Sequence, residues 1–405
     1  QRVAPSLGQV NGNASCAWPS DGKYSRAMGE PIHVPLLDLN QQNQPLAAEL
    51  KDTFARVLDS SQFILGPEVT EFERQVAAGV GATHAIGVSS GTDALLLSLM
   101  ALGIGPGDEV LCPSFTFFAT AGSVSRTGAT PVFVDSLDDD FNLDLEDAAR
   151  RVTDKTKAII PVHLFGQAAD MDAVQRLASA HDLMVLEDAA QSMGTQFGEK
   201  KAGTMGDLCA FSFFPSKNLG GFGDGGMITT NDDALAERVR ILRVHGGAPK
   251  YYHKAIGGNF RLDPLQAALL RAKLGHLPVY IAKRRANAAT YLERLAESTP
   301  VREGRLLLPS EMSGRTHTWN QFTLRVTNGK RDALMEHLAA NQIGSAIYYP
   351  VPLHRQECFS NLAGVEARLP ICEKMADEVL SIPIYPELST EQIDHVINTI
   401  ANAPI

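Results

Sequence analysis

The feature that most constrains the fold is a regular alternation of short apolar runs with longer stretches that repeat apolar residues at helical spacing. Strands that alternate with helices of this length form βαβ units, in which a largely parallel sheet is covered on both faces. We therefore predict an α/β domain with a mostly parallel seven-stranded sheet flanked by helices. The predicted strands span residues 84–88, 109–112, 131–135, 158–162, 184–188, 208–214 and 226–230.

The pattern changes after about residue 270, which predicts two domains. Residues 36–270 are expected to form the large α/β domain and residues 271–405 a smaller C-terminal α+β domain. In the latter, strands are predicted at 321–326 and 346–349, after one or two long helices over 264–298. Residues 1–35 are rich in Gly, Ser, Pro and Asn without periodicity, so we expect an N-terminal tail, a kind of segment that is often mobile.

Charge, hydropathy and cysteine usage argue against several classes of protein. Acidic residues outnumber basic ones by 46 to 36, so the bulk positive charge of a nucleic-acid-binding protein is missing. The sequence contains no run of 18 apolar residues, so no membrane-spanning helix is predicted. The five cysteines are far apart and form no C-x-x-C pair, which favours reduced thiols in the cytoplasm over a disulfide framework or a metal site.

A lysine between an apolar strand and a glycine-rich loop is the most informative local feature. Lys217 follows predicted strand 208–214, so it is expected at the carboxyl edge of the sheet, where open α/β sheets bind ligands. The alternative is a surface lysine beside a flexible loop. The glycines at 221–226 fit G-x-G-x-x-G, but a strand follows them where a dinucleotide site requires a helix, so we reject that site.

Two further strand ends bring polar groups to the same edge. Asp188 ends predicted strand 184–188, where its carboxylate can face a ring nitrogen or cap a helix, and Gln191 lies one helical turn along. Gly91 joins a strand to a helix, so free amide groups there can bind an anion, although capping by Ser or Thr is the alternative. An anion site, a carboxylate, an amide and a lysine are what pyridoxal 5′-phosphate requires.

Six motifs in order, between about residues 34 and 402, resemble the DegT/DnrJ/EryC1/StrS family of pyridoxal-phosphate-dependent sugar aminotransferases. The resemblance implies the fold of the fold type I aminotransferases, with a large and a small domain. The motifs are SSGTDAL (89–95), PSFTFFAT (113–120), PVHLFGQ (161–167), EDAAQS (187–192), FFPSK (213–217) and GNFRLDPLQAA (258–268).

The resemblance also implies roles for individual residues. Lys217 would form the Schiff base, Asp188 would pair with the pyridinium nitrogen, and Gln191 would bond the ring hydroxyl. Phe117 would stack on the pyridine face, unless it is a core aromatic. The phosphate would be held by Thr92, Ser212 and the backbone of Gly91 and Asp93. Asn259 matches an asparagine that reaches the neighbouring subunit's cofactor, which implies a homodimer with shared active sites. His163 is left open between a core and a site role.

The expected reaction transfers the amino group of an amino acid, L-glutamate, to a keto group of a nucleotide-linked sugar. Segments 259–266 and 64–68 look most like the members that act on 3-keto UDP- or dTDP-sugars. Arg261, Tyr348 and His354 are the expected substrate residues. Arg261 could clamp a carboxylate or diphosphate, or form an interface ion pair; Tyr348 stands where relatives often have His. Segment 250–253 is a candidate loop on the nucleotide side.

Two other functions are also compatible with the sequence. One is a sugar dehydratase that uses the same cofactor; relatives that dehydrate through the pyridoxamine form replace the lysine with His, so Lys217 argues against it. The other is a non-catalytic, cofactor-binding regulatory protein. A DNA-binding appendage would support that function, and no basic helix-turn-helix segment is evident.

Overall fold

The computed structural model describes residues 32–249, 251–362 and 368–405. Most of the predicted tail, residues 1–35, and the first residue of segment 250–253 therefore lie outside the described residues. In the described ranges, no helix combines the length and the apolar character needed to cross a bilayer.

The order of elements follows the predicted alternation. The strands are β1 (His84–Val88), β2 (Glu109–Pro113), β3 (Thr130–Val134), β4 (Thr156–Ile159), β5 (Met184–Asp188), β6 (Gln196–Phe197), β7 (Lys200–Lys201), β8 (Leu208–Ser212), β9 (Gly226–Thr230), β10 (Leu306–Leu307), β11 (Arg315–Thr316), β12 (Phe322–Val326) and β13 (Val379–Ile382). The helices are α1 (Leu39–Asn43), α2 (Ala47–Ser60), α3 (Pro67–Val80), α4 (Gly91–Leu102), α5 (Ala119–Arg126), α6 (Leu145–Arg151), α7 (Met171–His181), α8 (Asp233–Leu242), α9 (Pro264–Leu274), α10 (Leu277–Ala296), α11 (Thr299–Arg302), α12 (Arg331–Ala340), α13 (Pro370–Glu378) and α14 (Thr390–Ala401).

The main sheet has seven strands in the order β1-β9-β8-β5-β4-β2-β3. Strands β3, β2, β4, β5 and β8 pair in parallel, and β9 is antiparallel to both of its neighbours. The prediction of a mostly parallel seven-stranded sheet is therefore confirmed. One apolar cluster packs α4, α5 and α8 on one face, and a second packs α3, α7 and α9 on the other. This explains why the strands are apolar on both faces.

A third apolar cluster surrounds a three-stranded antiparallel sheet, β10-β12-β13, with side chains from α10, α12 and α14. The predicted strand 346–349 was wrong, because this segment pairs only through one isolated bridge between Ala346 and Ser381. Strand β12 instead pairs with β10 and with β13, and β13 begins where a helix was predicted to end. The domain boundary near residue 270 stays a prediction.

Strand direction determines where the functional groups lie. The carboxyl ends of β1, β2, β5 and β8 are Val88, Pro113, Asp188 and Ser212. Strands β2, β5 and β8 run in the same direction, and β1 joins them through the antiparallel β9, so all four ends meet at one edge of the sheet.

A buried polar cluster behind this edge holds the end of β5. Glu187 is fully buried, and its carboxylate accepts backbone N–H groups from Met205 and Gly206, each at 2.8 Å, and from Gly203 at 3.2 Å. His163 Nε2 lies 2.9 Å from the same carboxylate, while its Nδ1 accepts the Ala169 N–H. The proton of the neutral ring therefore lies on Nε2 and is donated to Glu187. His163 is thus a core histidine.

Replacing Glu187 with Leu should destabilise the protein strongly, because the His163 ring and three backbone N–H groups would lose their buried acceptor. Unsatisfied buried donors cost about 1–3 kcal/mol each, so we expect a loss of about 3 kcal/mol or more, seen as a lower urea midpoint. The control is Asp233→Asn, at the exposed partner of His84, which should change the free energy of unfolding by less than about 1 kcal/mol. Equal effects of the two substitutions would contradict this role of Glu187.

Candidate active site

Asp188 and Lys217 lie close enough at this edge for each charge to shift the other's pKa. Asp188 is buried, and burial raises the pKa of its carboxyl above the ordinary value. The Thr120 hydroxyl at 2.8 Å, the Ala190 N–H at 3.2 Å and the charge of Lys217 oppose that shift. The carboxylate is thus desolvated but stabilised by donors, and it can stabilise a cation beside it.

The pKa of the Lys217 amine is shifted in the opposite direction. The residue is partly buried, and burial lowers the pKa of its amine from 10.5 to about 8, although the charge of Asp188 opposes this change. A lower pKa increases the fraction of unprotonated amine near neutral pH. Only that form can act as a nucleophile towards a carbonyl group.

The amide of Gln191 is held between two elements. Its Oε1 accepts the Phe165 N–H at 2.7 Å, and its Nε2 donates to the Tyr349 hydroxyl at 3.1 Å. Tyr349 is a site residue that the sequence interpretation missed, since that interpretation selected its neighbour Tyr348. The pKa of the Tyr349 hydroxyl is raised, mainly by burial. No local spacing pattern could reveal a contact between residues this far apart in sequence.

The anion site is predicted at the start of α4. The Ser90 side chain accepts the Asp93 N–H at 3.0 Å and caps the helix, so the Asp93 amide is already engaged. The amides of Gly91 and Thr92 donate to no protein acceptor in the described chain. A Cβ on Gly91 would lie 2.7 Å from the Ser212 Cβ, so glycine is required for β8 and α4 to approach this closely. The free amides of Gly91 and Thr92 thus begin a helix that is in close contact with Ser212.

The remaining predicted residues lie at the margins of the site or behind it. The Phe117 ring is 56% exposed and 6.2 Å from the Tyr349 ring, so it is not a core aromatic. Asn259 is exposed, and the Arg261 backbone pairs with Val88 at the end of β1. Tyr348 is partly buried. His354, by contrast, is only 2% exposed, and both of its ring nitrogens are bonded to protein groups.

These groups fit pyridoxal 5′-phosphate. Asp188 is a buried carboxylate whose charge suits a ring cation, and Lys217 is an amine with a lowered pKa. Two free amides at a helix N-terminus, together with the Ser212 hydroxyl, match a phosphate group. The described residues offer no comparable set for a metal, since no group of three or more His, Cys, Asp or Glu side chains converges among them.

Comparison with known proteins gives consistent results. The model of the DegT/DnrJ/EryC1/StrS aminotransferase family matches residues 44–401. A pleiotropic regulatory protein of Geobacillus stearothermophilus is 48% identical, with 91% of this chain and 98% of the relative covered. The UDP-N-acetyl-3-dehydro-alpha-D-glucosamine 3-aminotransferase of Acidithiobacillus ferrooxidans is 44% identical, with 92% and 98% covered. The crystal structure of S. venezuelae DesV in complex with a ketimine intermediate superposes with a TM-score of 0.87 at 44% identity, and 91% of this chain and 98% of that chain are covered.

Lys217→Met should raise the stability of the cofactor-free protein at pH 7. The folded-state pKa of about 8 lies below the ordinary 10.5, so between these values the unfolded chain binds more protons than the folded one. Wild-type stability should therefore rise from pH 8 towards 10.5, and the advantage of the variant should shrink over that range. Urea unfolding at four pH values measures this. Lys200→Met, at an exposed lysine, is the control and should show no such trend; an identical trend in both variants would contradict the assignment.

Proposed function

The chain belongs to the DegT/DnrJ/EryC1/StrS aminotransferase family, and from this premise we propose that it transfers the amino group of L-glutamate to the keto group of a nucleotide-linked sugar. The observation that carries the proposal is the combination of Lys217, Asp188 and the Gly91–Ser212 anion site at one sheet edge. The cofactor of this family of enzymes is pyridoxal 5′-phosphate, and the groups described above fit it.

When bound, the cofactor supplies an electrophilic carbonyl and a ring that withdraws electrons from the carbon that carries the amine. Asp188 stabilises a positive charge at the ring nitrogen, and the Thr120 hydroxyl keeps the carboxylate oriented. Lys217 is the proposed general acid and base: with a pKa near 8, its Nζ can both hold and release a proton at neutral pH. Gly91, Thr92 and Ser212 would hold the phosphate, and the Asp93 amide secures the helix start beside them.

The proposed sugar substrate is a 3-keto sugar linked to UDP or dTDP. The name of the Acidithiobacillus ferrooxidans relative, which aligns along almost its whole length, supports a keto group at this carbon. We propose that Phe117 stacks on the cofactor ring and that Gln191 bonds its hydroxyl; the exposure of the Phe117 ring supports the first role. Arg261 and Tyr348 are the proposed substrate contacts. The side chain of Arg261 has no ion-pair partner among the described residues, which fits a guanidinium that binds a carboxylate or diphosphate.

We further propose that two copies of the chain form a homodimer with shared active sites. Three large aromatic side chains from the motifs of the site are exposed in the single chain: Phe117, whose ring neighbours that of Tyr349, by 56%, and Phe214 and Phe222, on either side of Lys217 in the sequence, by 51% and 44%. Exposed apolar groups concentrated around a site are typical of a surface that another protein covers. Asn259, also exposed, is the residue proposed to reach the partner's cofactor phosphate.

A regulatory function is the second candidate, because the relative from Geobacillus stearothermophilus bears the name of a regulatory protein. A cofactor-binding regulator would need the anion site and Asp188, but it would not need a lysine amine tuned to exchange protons. The lowered pKa of Lys217 therefore favours the enzyme.

The amino-donor reaction tests the proposed function directly. L-Glutamate added to the cofactor-loaded protein should move the cofactor's visible absorption to shorter wavelength. Lys217→Ala should slow this change by roughly 10²-fold or more, because it removes the proton carrier, whereas Lys200→Ala should not. Incubation of UDP- and dTDP-linked 3-amino sugars with 2-oxoglutarate should then yield L-glutamate. A wild-type spectrum that stays unchanged with every amino donor would favour the regulatory function.

Shared active sites predict complementation between two inactive variants. Lys217→Ala and Asn259→Ala should each be nearly inactive alone, while co-refolded mixtures should regain up to about a quarter of the activity, since mixed dimers contain one intact site. Sedimentation velocity should show a dimer for both variants. A dimer without any rescue would refute the role of Asn259, and a monomer would refute the homodimer.

A further inference from the structure

A hydrogen-bonded bridge of three side chains lies behind the candidate site and includes none of the groups proposed to hold the cofactor. Ser114 follows the end of β2 and is fully buried. Its Oγ lies 2.6 Å from Nδ1 of His354, which sits in the short 3-10 turn Leu353–Arg355. His354 Nε2 lies 3.1 Å from the carboxylate of Glu373 on α13. The bridge of Ser114, His354 and Glu373 thus connects three elements.

The protonation pattern of the bridge follows from its donors. Ser114 Oγ accepts the backbone N–H of His354 at 3.2 Å, so the hydroxyl proton is available for Nδ1. The proton of the neutral ring then lies on Nε2 and is donated to Glu373. Burial lowers the pKa of His354, which favours this neutral form, and two hydrogen bonds from Arg355, at 2.7 and 3.1 Å, fix the Glu373 carboxylate.

The bridge joins two segments that both reach the candidate site. One is the chain after β2, which carries Phe115 and Phe117; the other is segment 346–352, which carries Tyr348 and Tyr349. The Leu353 N–H donates to the Ser114 carbonyl at 2.8 Å, which adds a backbone bond to the side-chain contact. The Tyr349 ring centroid lies 6.1 Å from that of Phe115 and 6.2 Å from that of Phe117.

Gln191 is a second residue that holds segment 346–352 in place. Segment 346–352 has no strand pairing except the bridge at Ala346, so side-chain contacts must hold its remaining residues. Tyr349 makes one of these contacts, through its hydroxyl on Gln191 Nε2. His354, five residues further on, makes the next one. The position of Tyr348 and Tyr349 between Ala346 and His354 therefore depends on both contacts.

Burial argues against direct chemistry by the bridge itself. His354 is 2% exposed and uses both ring nitrogens, so it has no free polar atom for a ligand. Ser114 has no exposed surface, so it cannot act as a nucleophile on a substrate. A buried group of side chains whose hydrogen bonds are all satisfied stabilises one arrangement of the backbone.

We propose that His354 is a positioning residue: its bond to Ser114, with Glu373 orienting the ring, fixes segment 346–352 against the end of β2 and so sets the place of Tyr348 and Tyr349 on the substrate side of the site. This role replaces the direct substrate contact that the family resemblance implies for His354. Only the kinetic consequence of this positioning role rests on the proposed function.

Two substitutions at one position separate the two bonds of the His354 ring. The side-chain amide of Asn falls near the place of Nδ1, so His354→Asn keeps a partner for Ser114 and loses Glu373. The longer Gln reaches the place of Nε2, so His354→Gln keeps Glu373 and loses Ser114. Ser114→Ala removes the same bond from the other side. The matched control is Thr229→Val, which removes a buried hydroxyl bonded to the Gly203 carbonyl at 2.8 Å on β9.

Hydrogen–deuterium exchange of the holoenzyme, followed by mass spectrometry, tests the bridge without any sugar substrate. Peptides that cover 346–356 should exchange roughly 3- to 10-fold faster in Ser114→Ala and His354→Gln, the range expected for one lost hydrogen bond. His354→Asn should remain close to wild type. Thr229→Val should change exchange only near its own strand. Wild-type exchange of 346–356 in Ser114→Ala, or equal exchange in the Asn and Gln variants, would overturn the proposal.

The kinetic readout separates a positioning role from a general loss of stability. Ser114→Ala and His354→Gln should raise KM for the nucleotide sugar several-fold, leave the absorbance change with L-glutamate at its wild-type rate, and show no added effect in the double variant. A wild-type KM in Ser114→Ala with a raised KM in both His354 variants would mean that His354 touches the substrate directly, and would overturn the proposal. If no nucleotide sugar reacts with the wild type, the proposed function fails, while the exchange measurement still decides the bridge.

Discussion

The site depends on keeping a carboxylate charged in a buried place. Burial favours the protonated form of Asp188, and an uncharged acid could not stabilise a ring cation. Thr120, the Ala190 N–H and Lys217 oppose this shift, and each comes from a different element. The same burial that penalises the Asp188 charge lowers the pKa of the Lys217 amine. Burial at this edge of the sheet thus shifts both pKa values: the shift of Lys217 favours amino-group transfer, whereas the shift of Asp188 is opposed by its hydrogen-bond donors and by Lys217.

Parallel strand order brings these groups together over long distances in sequence. Asp188 and Ser212 end the neighbouring strands β5 and β8, and the antiparallel β9 lets β1 deliver Gly91 beside Ser212. The close contact of Gly91 with Ser212 leaves room only for a backbone without a side chain. The strand order therefore explains why a glycine, an acid and a lysine from three separate motifs lie at one edge of the sheet.

The sequence predicted the sheet and the groups at strand ends, because strand direction alone places Asp188 and Lys217 at one edge. Tyr349 and Thr120 were missed, since their contacts with Gln191 and Asp188 join distant segments without a local pattern. Strand β13 was missed, and its first residue Val379 was taken for the end of a helix, because apolar residues directly after an amphipathic helix continue its composition. His354 illustrates the limit of family motifs, which indicate that a position matters but not which atoms it contacts.

The two adjacent acids at the end of β5 point to opposite faces of the sheet, as alternate strand residues must. Glu187 binds backbone amides and a core histidine on one side, while Asp188 meets Thr120 and Lys217 on the other. A slip of one residue towards the carboxyl end would put Glu187, a longer acid, in the place of Asp188 and the apolar Leu186 in the place of Glu187, so the backbone amides and His163 would lose their acceptor. The contacts of Glu187 therefore fix the register of β5, and an insertion or deletion upstream in this strand would abolish both folding and catalysis.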